Sequence, residues 1–459
     1  MKFIDPKILL QLAAKPGALP EEIPGLGAGA DAQTASARRA YLSLKSESRE
    51  TLSPVVAQLE ADLLPVLAQM EAHGIKVDAD KLRAADVKAS VRSAELLTAI
   101  HAAAGEPVNP ASPKDLQRLL FEKMGMAPAK KTKTGYSVDE ETLEALEAEH
   151  PICRDILEWR RIGKIRSTYL AGLLAHVEPT TGRVHTVYRQ IGAATGRMSS
   201  EEPNLQNIPR GGWLADAVKS AFVPSRPGWK FVVADYSQVE LRVLANLSGD
   251  AAMCAKFAAG QDIHSATAAA IFPGLEPSRE RRAQAKTVNF GVVYGQTPYG
   301  LSALLKISPK EAGEFIDGFF NAYPAIKPWF ETVLEGARKN GYVETFFGRR
   351  RAIPSINDAN QTVRNRAQRE AMNMPVQGTA ADVMKFAMVA LARDLAGSGL
   401  EARMLLQVHD ELVLECPESE VVKVSEMTRQ AMSGAAPEAW KAKLTVDIAS
   451  GEDWLGAKK

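Results

Sequence analysis

The residues MLLQVHDELVLEC (404–416) consist of two apolar runs on either side of a polar His-Asp-Glu. This pattern predicts a β-hairpin whose turn displays Asp410. The run FVVAD (231–235) has the β-branched and aromatic character of a further strand, which ends at Asp235. If both strands belong to one sheet, the two carboxylates meet at one edge. The sequence leaves open that Asp410 only marks a polar turn and that Asp235 only caps its strand.

Helices are expected on both sides of these strands. Apolar residues recur at steps of three and four from Leu52 to about Ala104, and Glu140–Leu174 and Asp250–Leu395 also have mostly helical patterns. Strand character returns in VHTVYRQIG (184–192). Glycine and proline predict interruptions of the last helical region at Pro273-Gly274, Gly295 and Pro375. A helical arm, a small sheet, a helical insertion and a return to the sheet predict an α+β architecture.

Composition excludes several classes of protein. The 459 residues are 46% hydrophobic and 24% charged, as in an ordinary globular protein, and no apolar run approaches the roughly 18 residues that span a bilayer. The three cysteines are scattered, which is typical of a reducing cytoplasm. The net charge is only +1, but basic residues cluster locally, as in KKTKTGYS (130–137), in 160–166 and in 349–351. Each cluster, taken alone, is better explained by a solvated helix face.

The two aspartates suit a magnesium site. Mg²⁺ takes one or two carboxylates and completes its shell with water and substrate phosphates. Two such ions about 4 Å apart activate an attacking hydroxyl and stabilise a leaving pyrophosphate. Asp235 and Asp410 are therefore expected to hold two Mg²⁺ ions, with Mn²⁺ as a substitute.

The segment RERRAQAKTVNFGVVYG (279–295) predicts a helix with an ordered polar face. Ser278 is expected to cap it and Gly295 to end it. Four residues fall at four-residue steps and share one face: Arg282, Lys286, Phe290 and Tyr294. The two cations are expected to bind the β- and γ-phosphates of a nucleotide. Phe290 is expected to pack on its sugar and base, and Tyr294 to border the position of the templating base. The competing interpretation is an amphipathic helix with a mixed face.

Several long motifs resemble those of the family A DNA polymerases, the group of bacterial DNA polymerase I. The motifs are VVADYSQVELRVLANLSGD (232–250), RRAQAKTVNFGVVYG (281–295) and LLQVHDELVLE (405–415). Further matches are TGRMSSEEPNLQNIP (195–209), GYVETFFGRRRAIPSI (341–356) and AMNMPVQGTAADVMK (371–385). The resemblance covers about residue 52 to the end of the chain.

This resemblance implies a right-hand polymerase fold with an antiparallel palm sheet, helical fingers and a helical thumb. The implied boundaries are an N-terminal extension (1–51), thumb and leading helices (52–185), palm (186–250 and 390–459) and fingers (251–389). It also implies Mg²⁺-dependent addition of deoxynucleotides to a primer 3′ end, with primer-template DNA and deoxynucleoside triphosphates as partners. We expect a monomer in the cytoplasm of a bacterium or phage-infected host. A separate exonuclease or clamp is a candidate partner, which the sequence leaves open.

The resemblance also implies roles for individual residues. Asp235 and Asp410 become metal ligands assisted by the Tyr236 carbonyl, and Glu411 becomes a secondary acidic residue. Around the triphosphate it adds Gln238 and His264. The implied contacts to primer-template DNA are Arg197, Asn204, Gln206, Arg369, Asn373, Gln377 and His409, together with the basic-loop residues Lys130, Lys131 and Lys133.

Glu240 is implied to be a steric gate, paired with Tyr294, that leaves no room for a ribose 2′-hydroxyl. Phe290 supplies no hydroxyl to replace a missing 3′-hydroxyl, so discrimination against dideoxynucleotides is expected. About 50 residues precede the thumb region, too few for a 3′–5′ exonuclease domain, so proofreading is not expected. The alternatives are a single-subunit RNA polymerase, which Glu240 and the Asp410-Glu411 pair argue against, and a non-catalytic DNA-binding protein with the same fold.

Overall fold

The computed structural model describes residues 52–128, 131–132, 135–190, 192–276 and 278–458, with only the backbone described at 131 and 132. The expected N-terminal extension (1–51), Lys130 and Lys133 lie outside the described residues. The described chain divides into two compact units. Residues 52–74, 186–201 and 228–450 form the first unit, and residues 75–185, 202–227 and 451–458 form the second. Helix Pro54–His73, grouped with the thumb by sequence, is thus in the same unit as the strands around Asp235 and Asp410.

The elements of the described chain are numbered in chain order. The helices are α1 (Pro54–His73), α2 (Ala79–Ala104), α3 (Pro113–Gln117), α4 (Glu140–Leu146), α5 (Pro151–Ile165), α6 (Gly172–His176), α7 (Trp213–Ser220), α8 (Val239–Ser248), α9 (Ala251–Ala258), α10 (Ile263–Ile271), α11 (Arg279–Val293), α12 (Pro298–Leu305), α13 (Pro309–Ala322), α14 (Ile326–Asn340), α15 (Gln361–Ser398) and α16 (Val421–Ser433). The strands are β1 (Ile75–Lys76), β2 (Lys131–Thr132), β3 (Gly135–Tyr136), β4 (Arg183–Val184), β5 (Val187–Arg189), β6 (Ser199–Glu201), β7 (Trp229–Tyr236), β8 (Tyr342–Glu344), β9 (Arg350–Ala352), β10 (Arg403–Val408), β11 (Glu411–Pro417) and β12 (Val446–Gly451).

A four-stranded sheet organises the first unit, in the order β10-β11-β7-β12. β10 and β11 are the expected hairpin. β11 also pairs antiparallel with β7, in a register that begins with Trp229 opposite Pro417 and ends with Asp235 opposite Glu411. Residues Phe231 to Ala234 are all buried, because α16 packs on β7 and covers the sheet. Burial on both faces explains why this strand is continuously apolar and does not alternate.

The prediction of a break at Pro375 was wrong. Helix α15 runs through it for 38 residues. Proline removes one N–H from the ladder and typically costs about 3 kcal/mol inside a helix. Here Met374, Pro375 and Val376 are all buried, and the Thr379 hydroxyl donates to the Pro375 carbonyl. Burial of this apolar segment therefore outweighs the local cost of the proline.

The other predicted features of the central region are present. Ser278 caps α11, since its side chain accepts from the Arg281 N–H at 3.1 Å, and Gly295 follows the helix with φ 63°. A short hairpin, β8–β9, interrupts the region that was expected to be mostly helical. The strand region 184–192 divides into β4, which pairs with β1 in the second unit, and β5, which pairs with β6 in the first.

The second unit is mainly helical. One of its apolar clusters is formed by three parts of the chain: helix α2, the segment that follows Ser112, and helix α5. Ile100, Leu119 and Ile156, one from each part, are fully buried. In the described part of the chain, no helix combines the length and apolar character that a membrane crossing requires.

Candidate active site

Two acidic residues at one edge of the sheet form the centre of the candidate site. Asp235 is the penultimate residue of β7, and in the sheet register it lies opposite Glu411, the first residue of β11. The backbone N–H of Tyr236 donates to the carbonyl oxygen of Asp410 at 3.0 Å, which holds the hairpin turn beside the end of β7. The turn is tight, with His409 at φ 55°. The sheet thus brings Asp235 and Asp410 to adjacent positions.

The exposure of these acids decides which of them an ion from solvent can reach. The Asp410 side chain is 36% exposed and Asp235 is partly buried, whereas Glu411 is 1% exposed. Among the described residues, no group of three or more His, Cys, Asp or Glu side chains is arranged to hold a metal on its own. A pair of carboxylates still fits Mg²⁺, because this ion keeps waters and takes substrate phosphates as further ligands.

Glu240, in the first turn of α8, is the centre of a buried hydrogen-bonded group. It is 3% exposed, and its two oxygens accept from Arg197 Nη2 at 2.7 Å and from the Tyr294 hydroxyl at 2.8 Å. Burial raises the pKa of Glu240, against the opposing effects of Arg197, Tyr294 and a hydrogen bond from Gln377. Arg197 Nη2 also lies 3.7 Å from Asp410 Oδ1. Arg197, expected at the primer-template, therefore lies between two acids.

Helix α11 presents the expected ordered face. Arg282 and Lys286 are exposed, and the rings of Phe290 and Tyr294 stack with centroids 6.4 Å apart and planes inclined by 22°. The opposite face packs into the apolar core through Ala285, Val288 and Val292. The helix is therefore amphipathic, and its two cations lie on the face that does not pack into the core.

Arg282 has a partner that the sequence did not reveal. Its Nε and Nη2 donate to the two carboxylate oxygens of Asp262 at 3.2 and 2.7 Å. Asp262 is also the N-cap of α10, where it accepts from the Ser265 N–H at 2.6 Å. Burial alone would raise the pKa of Asp262, but the hydrogen bonds from Arg282 and Ser265 lower it to about 2. The only local signal was an aspartate in a capping position, which does not show what else it binds.

Replacement of Asp262 by asparagine is expected to strengthen nucleotide binding. The substitution keeps the cap but removes the negative charge that competes with a triphosphate for Arg282. A partly exposed pair of this kind is worth about 0–1 kcal/mol, so KM for deoxynucleotides should fall about 2- to 5-fold with kcat little changed. Steady-state single-nucleotide incorporation measures this. Asp317→Asn, at an exposed site on α13, is the matched control; a KM that rises in Asp262→Asn would show that the pair orients Arg282 productively.

His264 lies on α10 next to the face of α11. It is 2% exposed, its ring is 5.8 Å from that of Phe290, and its Nδ1 lies 2.8 Å from the side-chain nitrogen of Asn289. Burial lowers the pKa of His264 to about 4, with Arg282 and Lys286 acting in the same direction. The imidazole is therefore neutral at pH 7. Asn289, fully buried, is a further residue that sequence reasoning missed.

Apart from Arg197, the predicted DNA contacts of the first unit lie on two elements. Arg369, Asn373 and Gln377 fall at four-residue steps on α15, and His409 lies in the hairpin turn. Gln238, which was expected at the triphosphate and not at the DNA, precedes α8 with φ 55°. Gln377 bonds to Glu240, so this face of α15 adjoins the buried group described above.

The remaining predicted DNA contacts lie elsewhere. Asn204 and Gln206 are in the second unit, where the Asn204 side chain accepts from the backbone N–H of Gln206 at 2.9 Å and so closes a turn. Lys131 belongs to the two-residue strand β2, and only its backbone is described. For these residues DNA contact stays a prediction.

The basic cluster at 160–166 is largely used within the second unit. Arg160 donates to two backbone carbonyls, and Arg161 to the carbonyls of the loop at 210 and 211. Arg166 donates to Asp86 at 2.8 Å. Lys164 is exposed. Most of this cluster therefore has a structural use.

Comparisons with known proteins give a consistent result. The model of DNA polymerase family A matches residues 79–456. The thermostable DNA polymerase I of Thermus thermophilus is 44% identical over 424 residues, which are 91% of this chain and 49% of the relative. DNA polymerase I of Bacillus subtilis is 43% identical over 403 residues, 87% of this chain and 46% of the relative. The chain thus spans about half the length of the curated relatives it matches.

A solved structure is similar to the fold as a whole. It is described as the POL domain of Pol1 from M. smegmatis in complex with DNA primer-template and dNTP. The TM-score is 0.83 at 37% identity, with 92% of this chain and 73% of that chain covered. This similarity confirms the predicted α+β fold of the right-hand polymerase type.

Proposed function

The chain belongs to DNA polymerase family A, and from this membership we propose that it extends the 3′ end of a DNA primer with deoxynucleotides, as directed by a DNA template. The names of the relatives support the reaction, and the DNA and dNTP in the similar structure support the partners. The observation that carries the proposal is the adjacency of Asp235 and Asp410 at one sheet edge, in the same unit as the cationic face of α11.

In this proposal the polar face of α11 binds the nucleotide. Arg282 leaves Asp262 and forms charge-assisted hydrogen bonds with the triphosphate, and Lys286 adds a second cation. Phe290 and Tyr294, already stacked, border the base and sugar. Because the Tyr294 hydroxyl and Arg197 both bind Glu240, the carboxylate is fixed where it can exclude a 2′-hydroxyl.

Asp235 and Asp410, with the Tyr236 carbonyl, would hold two Mg²⁺ ions. When bound, these ions supply activation of the 3′-hydroxyl and stabilisation of the leaving pyrophosphate. The protein itself needs no side-chain nucleophile, because phosphoryl transfer depends mainly on position and charge. Its residues orient the triphosphate, keep the acids at the sheet edge and exclude the wrong sugar.

A primer-extension assay tests the proposal. Purified protein, a primed DNA template, Mg²⁺ and deoxynucleotides should give template-directed extension, which chelation by EDTA should stop and added Mg²⁺ restore. The same template with ribonucleotides alone should give little product. A preference for ribonucleotides would favour an RNA polymerase. Binding of the primer-template without any extension would favour a non-catalytic DNA-binding protein.

The proposal includes the absence of 3′–5′ proofreading in this chain. A primer with a mismatched 3′ nucleotide, labelled at its 5′ end, should remain at its original length in the absence of deoxynucleotides. Shortening of that primer would contradict this part of the proposal while leaving polymerisation intact. The cytoplasmic location, the monomeric state and a separate exonuclease or clamp stay predictions.

Replacement of Lys286 by alanine is expected to impair use of the nucleotide much more than binding of DNA. Lys286 is exposed on the proposed triphosphate face, and loss of a charge-assisted contact of about 1.5–3 kcal/mol corresponds to about 10- to 150-fold in kcat/KM for deoxynucleotides. Single-turnover incorporation and a fluorescence-anisotropy titration of primer-template separate the two effects. Lys310→Ala, at an 88% exposed side chain on α13, is the control. A loss confined to DNA affinity would refute the triphosphate role.

A further inference from the structure

Four charged side chains are buried together beneath the candidate site. This buried ion cluster consists of Glu60 on α1, Arg349 before β9, and Asp382 and Lys385 on α15. Their exposed fractions are 0%, 3%, 0% and 1%. The sequence groups Arg349 with Arg350 and Arg351 in a basic cluster that predicts either a nucleic-acid contact or a solvated face, and the burial of Arg349 corrects both interpretations for this residue. The chain buries two acids and two bases at a point that the proposed reaction does not use.

The cluster is internally paired. Arg349 donates through Nη2 to Glu60 and through Nε to Asp382 at 2.8 Å, and Lys385 donates to Glu60. The second Asp382 oxygen accepts from the Thr345 hydroxyl at 2.8 Å. Burial would raise the pKa of Glu60, but Lys385 and Arg349 lower it below its usual range, so the carboxylate is ionised. A buried charge that loses its partner is strongly unfavourable, so these contacts hold their segments firmly together.

The cluster also reaches the loop that carries Arg197. Lys385 Nζ donates to the backbone carbonyl of Gln190 at 3.0 Å, at the start of this loop. Near its end, Gly196 has φ 79°, and a Cβ there would lie 2.5 Å from Cδ and Nε of Arg349. The loop is closed on itself, because the N–H groups of residues 192 and 193 donate to the Arg197 carbonyl at 3.0 and 3.1 Å. Arg349 is therefore packed directly against the residue that precedes Arg197.

We propose that Arg349 is a positioning residue of the polymerase site: together with Lys385 it holds Gln190 and the loop residues 192–197, and through Gly196 it sets Arg197 between Glu240 and Asp410. The inference rests on the proposed function for its effect on catalysis, but not for its effect on the loop. Arg349 touches neither acid of the sheet edge in this arrangement. It acts through the Arg197 guanidinium, which lies 2.7 Å from Glu240 and 3.7 Å from Asp410.

The first test follows the loop itself. Arg349→Lys keeps the charge but cannot bridge two carboxylates with a planar fork. Hydrogen–deuterium exchange measured by mass spectrometry should show faster exchange in the peptide that covers 190–197. Arg350→Lys is the matched control, since Arg350 is 45% exposed and its described contacts are with Glu344 and the ring of Tyr342, both on the same hairpin. Unchanged exchange in Arg349→Lys would overturn the proposal whether or not the protein polymerises DNA.

The second test separates a positioning role from a general loss of stability. Arg349→Lys should lower kcat/KM for deoxynucleotides about tenfold, and Arg197→Ala should lower it further. In the double variant the two effects should not multiply: activity should match that of Arg197→Ala within about twofold, while the melting temperature still falls as in Arg349→Lys. Effects that multiply would overturn the proposal. If Arg349→Lys does not fold, Lys385→Met tests the same loop from its other end with the same readouts. A wild-type protein without polymerase activity would refute the proposed function and leave the exchange test standing.

Discussion

Asp410→Ala should abolish primer extension while primer-template binding stays nearly unchanged. The Asp410 side chain is 36% exposed, and the backbone carbonyl of Asp410 accepts from the Tyr236 N–H at the end of β7. The substitution therefore leaves the hairpin intact but removes one of the two carboxylates, Asp235 and Asp410, that are proposed to bind Mg²⁺. We expect kcat to fall at least about 10³-fold, which corresponds to roughly 4 kcal/mol of transition-state stabilisation.

Rapid-quench measurement of single-nucleotide addition and an anisotropy titration with labelled primer-template give the two quantities. Pyrophosphorolysis should disappear together with extension, because both directions pass through the same transition state. Glu418→Gln, at a 68% exposed side chain beyond the other end of β11, should behave as wild type. Extension within tenfold of wild type in Asp410→Ala would refute the assignment of this residue as a metal ligand.

Glu240→Ala should admit ribonucleotides. Glu240 is 3% exposed and is fixed by Arg197 and the Tyr294 hydroxyl, so its side chain cannot turn away from a bulky sugar. Loss of the four side-chain heavy atoms beyond Cβ leaves space for a 2′-hydroxyl. The ratio of kcat/KM for deoxynucleotides to that for ribonucleotides should fall about 10²-fold, equivalent to roughly 2.7 kcal/mol. Use of deoxynucleotides should also weaken, since Arg197 and Tyr294 lose their acceptor.

Glu240→Gln distinguishes size from charge. This variant keeps the volume and an acceptor for Tyr294 but removes the charge that binds Arg197. If exclusion is steric, Glu240→Gln retains most of the sugar selectivity that Glu240→Ala loses. If both variants lose it equally, the negative charge is the cause. A wild-type ratio in Glu240→Ala would remove the gate role altogether.

Elements defined by neighbouring residues were predictable from the sequence. The capped helix after Ser278, its end just before Gly295 and the hairpin around Asp410 follow from signals within a few positions. The order of Arg282, Lys286 and two rings on one face follows from the helical period alone. Pro375 shows the limit of such signals, because burial along α15 outweighs a local preference.

Pairings between distant residues were not predictable in the same way. Asp262 has the sequence signal of a helix cap, and nothing local shows that it also binds Arg282, 20 positions away. Arg349 stands in a run of three arginines that reads as a basic surface, yet its neighbours Arg350 and Arg351 are exposed or partly exposed while it is buried. Whether a charge is buried depends on which segments pack around it.

By itself the sequence determined the α+β class, the hairpin, the cationic face of α11 and the motifs that resemble the polymerase family, because each depends on period, capping or residue order along the chain. Only the tertiary structure decided that Asp235 and Asp410 are neighbours, that Arg197 lies between Glu240 and Asp410, and that Arg349 is buried with three other charges. The physical reason is that strand register and helix packing, which local patterns do not encode, determine the distances between residues far apart in the chain.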